Sequence, residues 1–404
     1  MSRTRQTLLW MAGLSLVTLC LGVLREFWIA RELRASGEAD LFFRGLVVVG
    51  AARAFGTALF RSRWIPVPRV VAARDLLRAE LGTCAAVSAV GLVALVVIAG
   101  RPALGEATLW VFALGVWLAT FGSAVRALAE RAGLERRGFV LEWALPIGAI
   151  AGALLRPHGA LGPSLGILAG LFVGLAALLP PVLSDRSDGT GPEGQLNAPA
   201  DRGRTRVLLI DALVYANLGL LDAALSQVFV VGGFALLNYA YLFVNAALMV
   251  PSAAATVVGL RVSAGGDPAA QVQLRRWAVV GGVVCAALVV AVGLLLGWAP
   301  VATQVDAAVG WSLAASIGGL VLWSAPFAGL RLANTIGRQF VIATEPRRVL
   351  AWDLGGLAGR ALILGLGAAV LGLKASPLGL AFAELLQVGA WWRVKPAVPT
   401  KPVT

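Results

Sequence analysis

The chain has 404 residues, of which 59% are hydrophobic and 14% charged, with a mean hydropathy of +0.83. A water-soluble protein of this size needs far more polar surface to cover its core, so a soluble fold is excluded and the apolar excess faces lipid. The 34 Lys and Arg against 21 Asp and Glu leave a formal charge of +13, which in a soluble protein would point to nucleic acid, whereas here the placement of the charges decides.

Arg3 and Arg5 precede an apolar run from Leu8 to Leu24. The run is too long for the core of a cleaved signal and is expected to be the first membrane span. Runs long enough to cross about 30 Å of hydrocarbon recur about twelve times. Their approximate limits are 7 to 30, 41 to 63, 81 to 100, 106 to 127, 138 to 156, 160 to 183, 207 to 232, 234 to 260, 276 to 298, 308 to 332, 348 to 373 and 376 to 393. Runs of this length are helices, because the short alternating strands of a barrel do not fit them. Cys20, Cys84 and Cys285 all lie inside such runs and read as small hydrophobes rather than disulfides. The single histidine, His158, cannot build a multi-histidine metal site, and no metal is expected.

The polar stretch from Ser184 to Arg206, rich in Gly, Pro and Asp, reads as a flexible cytoplasmic linker. It divides the chain into a first six-helix half at 1–184, a linker at 185–206 and a second half at 207–404. A half with an even number of spans returns to its starting side, so the two halves are parallel repeats. Leu24-Arg25 followed by Asp40-Leu41-Phe42-Phe43 is echoed by Leu221-Asp222 followed by Asn238-Tyr239-Ala240-Tyr241. The expected fold is an all-α polytopic membrane protein of about twelve helices, two six-helix halves around a central cavity. With the N-terminus inside, about 25 basic residues fall in cytoplasmic loops, and only Arg31, Arg34, Arg101, Arg156 and Lys374 fall outside. That asymmetry predicts a protein of the cytoplasmic membrane with both termini in the cytoplasm. Gly162, Gly166, Gly170 and Gly174 in span six, and Gly355 with Gly359 in span eleven, are expected to let helix backbones approach closely.

An ionisable group inside a span costs on the order of 3 kcal/mol, so each needs a reason. Arg53 lies mid-span, too deep for easy snorkelling, and points to a polar cavity or an ion pair. Arg25 and Glu26 either begin the outer loop beside Trp28 or belong to the same polar interior. Arg44 is one turn past Asp40, the spacing of a helical ion pair. Asp211 either neutralises the Arg202, Arg204 and Arg206 cluster or is part of span seven. Asp222 lies mid-span among Asn217, Ser226 and Gln227, a setting for a proton or hard cation or for hydrogen bonds between helices. Asp353 and Arg360 share a face of span eleven and are expected to neutralise one another, while Glu142 and Glu384 are single acids with no assigned role. Arginine suits a phosphate or diphosphate because its planar fork donates parallel hydrogen bonds and stays charged, so the expected substrate is an anion.

Gly22-Val23-Leu24-Arg25-Glu26, Ala30-Arg31 and Ala39-Asp40-Leu41-Phe42-Phe43 resemble the opening of the MurJ/MviN lipid II flippases. These belong to the multidrug/oligosaccharidyl-lipid/polysaccharide (MOP) exporter superfamily. Leu221-Asp222 with Leu237-Asn238-Tyr239-Ala240 looks like the start of that family's second half. The resemblance implies that Arg25 and Arg53 engage a substrate diphosphate. It also makes Asp40 a functionally sensitive acid at the outer end of span two, and Asp222 the seat of cation coupling, to Na+ or H+. Leu242 and Leu19 stand where the family has arginine, and the family has two further spans.

The implied protein is no enzyme and carries no cofactor. It is a flippase that moves a polyprenyl-diphosphate-linked saccharide, an exopolysaccharide-type repeat unit or related envelope glycolipid, by alternating access. Lipid II as substrate, an envelope glycan enzyme and a drug efflux pump are the alternatives. The expected partners are the lipid-linked anionic saccharide and membrane lipids.

Overall fold

A computed structural model describes residues 3–64, 72–100, 106–132, 134–155, 159–184, 210, 218–226, 229–248, 268–309, 313–344 and 346–393. Apart from short turns these residues are helical, and there is no strand among them. Helices satisfy every backbone group internally, as hydrocarbon demands. Seven helical stretches among the described residues are long and apolar enough to cross a bilayer, and an eighth joins them if one bent pair counts as a span. One of the seven, Arg347–Trp392, holds two of the expected spans. The expected linker at 185–206, together with Arg101, Arg156, His158 and Asp211, lies outside the described residues.

The chain divides into two compact units, Met1–Gln227 and Val228–Thr404. The first contains α1 (Arg3–Leu33), α2 (Gly37–Trp64), α3 (Ala73–Ala79), α4 (Leu81–Ala99), α5 (Ala107–Arg131), α6 (Glu135–Leu155), α7 (Leu161–Leu183) and α8 (Leu218–Leu225). Helix α8, from the expected seventh span, packs on α2 and α4 within this unit. Helix α2 begins where the Ser36 hydroxyl accepts a hydrogen bond from the Ala39 N–H at 3.2 Å. Glu38 and Asp40 lie in its first turn, the favoured place for acids. Glu38 also accepts the Ala160 N–H at 3.0 Å, tying the head of α2 to the head of α7.

The glycines expected in span six perform the role assigned to them. Helices α6 and α7 run antiparallel and so close that a Cβ on Gly166 would lie 2.0 Å from the Gly148 carbonyl oxygen. One on Gly152 would lie 2.1 Å from the Gly162 oxygen, and one on Gly170 2.1 Å from the Ala144 oxygen. The backbones touch directly, with no side chain between them. Phe42 and Phe43 are fully buried, and Phe42 meets Phe112 of α5 edge to face at 5.7 Å. In contrast, Val90, Val93 and Val97 of α4 and Phe172 and Val173 of α7 are exposed, an apolar surface suited to lipid.

The second unit contains α9 (Gly233–Leu248), α10 (Pro268–Gly297), α11 (Ala299–Val309), α12 (Ala314–Trp323), α13 (Ala325–Thr344), α14 (Pro346–Leu371) and α15 (Ala375–Trp392). The expected tenth span is broken: α12 and α13 meet at a 48° bend. Ser324 sits at the break with its hydroxyl on the Leu320 carbonyl at 2.8 Å, and Pro326 just beyond has no N–H to continue the ladder. Gly372, at φ +55°, occupies the tight turn from which α15 folds back along α14.

Here the expectation for glycine needs correction. Gly355 faces open space, and it is Gly356, against Ala383, and Gly359, against the Phe382 ring, that seat α15. A Cβ on Gly359 would come within 2.4 Å of that ring. Gly355→Ala is therefore expected to leave the thermal midpoint unchanged or raise it, by up to about 1 kcal/mol of helix propensity. Gly359→Ala is expected to lower it by about 1 to 3 kcal/mol through overpacking. Melting of the two purified variants in one detergent checks the contrast.

Candidate functional site

Arg53 is held by the contact between α2 and α5. A Cβ on Gly45 would lie 2.2 Å from the Phe112 ring, and one on Gly56 would lie 3.1 Å from the Ser123 Cβ, so both glycines admit α5 closely. The Ser123 hydroxyl donates to the Arg53 carbonyl at 2.9 Å. Arg126, three residues beyond Ser123, shares its helical face, which puts a second guanidinium beside the first. Between them, from α6, comes Glu142. Its Oε1 lies 2.5 Å from Arg53 Nη2 and also accepts a hydrogen bond from Arg126. Four residues on, Pro146 has no N–H to offer the Glu142 carbonyl, so the helical ladder is open at the residue that carries the acid.

The chain of charge continues towards the ends of α2 and α5. Arg126 pairs with Glu130 one turn on at 3.1 Å, and Glu130 accepts a bond from Arg61 Nε at 2.5 Å. Arg53, Glu142, Arg126, Glu130 and Arg61 thus alternate in sign, three cations against two anions, leaving one positive charge in excess. Arg53 Nη2 is closed to solvent, and its contact with Glu142 is ionic without the geometry of a hydrogen bond. A guanidinium has five N–H donors, so Arg53 beside a single carboxylate can still engage an anion.

The other candidates lie in separate places within the first unit. Arg25 pairs with its neighbour Glu26 on α1, and Glu26 is buried. Asp40 is buried near the head of α2. One turn beyond it, Arg44 donates from Nε to the Ser226 hydroxyl at 2.8 Å. Ser226 follows Asp222, also buried, by one helical turn. Arg44, which spacing alone pairs with Asp40, therefore links the neighbourhoods of Asp40 and Asp222.

Sequence reasoning gave Glu142 no role, and counted Arg61 and Arg126, which lie at the inner ends of spans two and four, among the cytoplasmic basic residues. In the structure α5 continues to Arg131. The i,i+4 pair of Arg126 and Glu130 was the available signal that the helix went on.

The second unit has a polar network of its own. Glu384 on α15 accepts from Arg331 at 2.5 Å and from Asn334 at 2.6 Å, both on α13. Asn334 also donates to Gln387, and Gln387 to Asp353 on α14. Glu384, Asn334, Asp353 and Arg360 are almost completely buried. No group of three or more His, Cys, Asp or Glu suited to a metal ion occurs among the described residues.

No family model matches the chain, and no curated protein matches it by sequence. Solved structures do. The lipid II flippase MurJ in an inward closed conformation superposes with a TM-score of 0.70 at 12% identity, covering 94% of this chain and 86% of that one. A MOP-superfamily transporter from Pyrococcus furiosus, described as having a binding pocket of reverse polarity, gives 0.62 at 12% identity over 95% and 94%. A MATE transporter of Vibrio cholerae gives 0.61 at 14% identity over 96% and 94%. At such identities the likeness is one of fold. The chain has the multi-pass helical fold of MOP-superfamily transporters, and these relatives in fold are transporters rather than enzymes.

Proposed function

We propose that the chain is a flippase for a polyprenyl-diphosphate-linked saccharide, an exopolysaccharide-type repeat unit or related envelope glycolipid, which it carries across the cytoplasmic membrane. The observation that carries this reading is the ionic chain around Arg53, in which the guanidinium groups of Arg53 and Arg126, from two helices, share the one carboxylate of Glu142 inside an apolar bundle. Two guanidinium groups on one carboxylate have donors to spare, and an anionic headgroup supplies acceptors for them. The diphosphate would rest at Arg53 and be exposed to the two sides of the membrane in turn, with Arg25 and Asp40 meeting other parts of the substrate along its passage. No bond is made or broken. An inside-negative potential favours outward passage of an anion by about 2.3 kcal/mol per charge per 100 mV if the charge crosses the whole field.

The fold shared with the lipid II flippase MurJ favours lipid II as a second reading, and it belongs to the same chemical class. The leucines at 19 and 242, where that family has arginine, favour a different saccharide. The test is reconstitution of the purified chain in liposomes with a polyprenyl diphosphate saccharide bearing a quenchable fluorophore. Loss of the fluorophore from one leaflet at a rate above protein-free liposomes is expected. No transfer of this lipid, with transfer of an amphipathic cation instead, would make it a drug pump.

Resetting is assigned to Asp222 with Na+ or H+ as the coupling cation. Asp222→Asn is then expected to remove most of the stimulation of transfer by an imposed Na+ or pH gradient, about tenfold, on the scale of a coupling free energy of 1 to 3 kcal/mol. Equal stimulation of the variant and the parent chain would rule the assignment out.

A further inference from the structure

Glu142 is the anion of a site that has two cations on different helices. Its Oε1 is shared by Arg53 of α2 and Arg126 of α5. Arg126 is further engaged by Glu130, and Glu130 by Arg61, so neutralisation is supplied to Arg126 from both sides. Among the described residues the Arg53 guanidinium pairs with Glu142 alone, through an Nη2 that is closed to solvent. A carboxylate brings one negative charge to this fork, while a diphosphate brings more charge and more acceptor oxygens, which suit two planar guanidinium groups better.

We infer that Arg53 and Arg126 form a phosphate subsite in which Glu142 stands in for the ligand and from which an incoming diphosphate displaces it. The inference rests on the flippase reading for its ligand. It adds Arg126 to the binding residues and makes Glu142 an internal competitor. The opening of the α6 ladder by Pro146 lies at the residue that has to yield. Once displaced, Glu142 no longer screens Arg126, and Glu130 remains to pair with it.

The experiment measures binding of geranylgeranyl diphosphate, of inorganic pyrophosphate and of geranylgeraniol to the full chain in nanodiscs. The parent chain is compared with Glu142→Gln and Arg126→Gln. Removing the competitor should tighten geranylgeranyl diphosphate binding about tenfold, and removing one wall of the fork should weaken it about tenfold, while geranylgeraniol responds to neither. Arg126→Gln leaves the Arg53 and Glu142 pair in place, so it decides the matter even if Glu142→Gln does not fold.

Unchanged diphosphate affinity in Arg126→Gln, or equal or weaker binding in a folded Glu142→Gln, overturns the subsite and leaves the flippase reading standing if the parent chain still transfers the lipid. The expected pattern with pyrophosphate, but no gain from the prenyl tail, supports the subsite and removes the lipid-linked ligand. Binding of neither diphosphate by any form overturns both.

Discussion

Arg53→Ala is expected to abolish transfer of the lipid-linked substrate while leaving the protein folded. Without Arg53, the remaining Glu142, Arg126, Glu130 and Arg61 still alternate as two acids and two bases, so no buried carboxylate is left without a cation. What disappears is the excess positive charge. Loss of one partner from a buried charge pair costs about 2 to 5 kcal/mol, which corresponds to at least about a 30-fold fall in transfer. Arg53→Lys keeps the charge but loses the planar fork, and should fall between the parent chain and the alanine variant. Leaflet transfer in liposomes, with helix content and melting as controls, provides the measurement. Transfer at the parental rate in a folded alanine variant would remove Arg53 from the site.

A second large effect is expected from the seam between α6 and α7. Gly166→Val places a branched side chain where a Cβ alone would lie 2.0 Å from the Gly148 carbonyl oxygen. The obstacle is backbone on both sides, so no rotamer change relieves it, and the helices must separate along their contact. A cost of about 3 kcal/mol or more is expected, at the upper end of overpacking penalties. Gly50→Ala, at a helical glycine with nothing within 4 Å, is the control and should be neutral or slightly stabilising. Denaturant midpoints of the two detergent-solubilised variants read the difference directly. A Gly166→Val protein as stable as the control would rule out direct backbone contact along the seam.

Much of this architecture is legible in the sequence because hydrocarbon leaves few alternatives to a long apolar helix. The repeating glycines of span six announce a close contact for the same reason. Contacts that depend on rotation or on distant partners are less visible. Gly355 and Gly356 are adjacent, and one residue turns a helix by about 100°, so a local pattern cannot tell which of them faces α15. Glu142 lies far from Arg53 in sequence, and neither residue signals the other. Arg44 has a plausible partner one turn away in Asp40, which hides its bond to Ser226 on another helix. The break in span ten has a signal in Pro326, but an apolar run continues across it and conceals the bend.

The glycine seam has a mechanical consequence. Each carbonyl fills the place of a missing Cβ, and turning either helix about its axis would bring the side chain of Ile147, Ala149 or Ile167 into the seam. Helices α6 and α7 are therefore obliged to travel as one slab, and Trp143 fastens α1 to it through a 3.0 Å bond to Thr18. Glu142 rides on that slab, while Arg53 and Arg126 ride on α2 and α5. Any shear between these two groups of helices pulls the carboxylate away from both guanidinium groups at once, so the ionic contact acts as a strain gauge built across the joint.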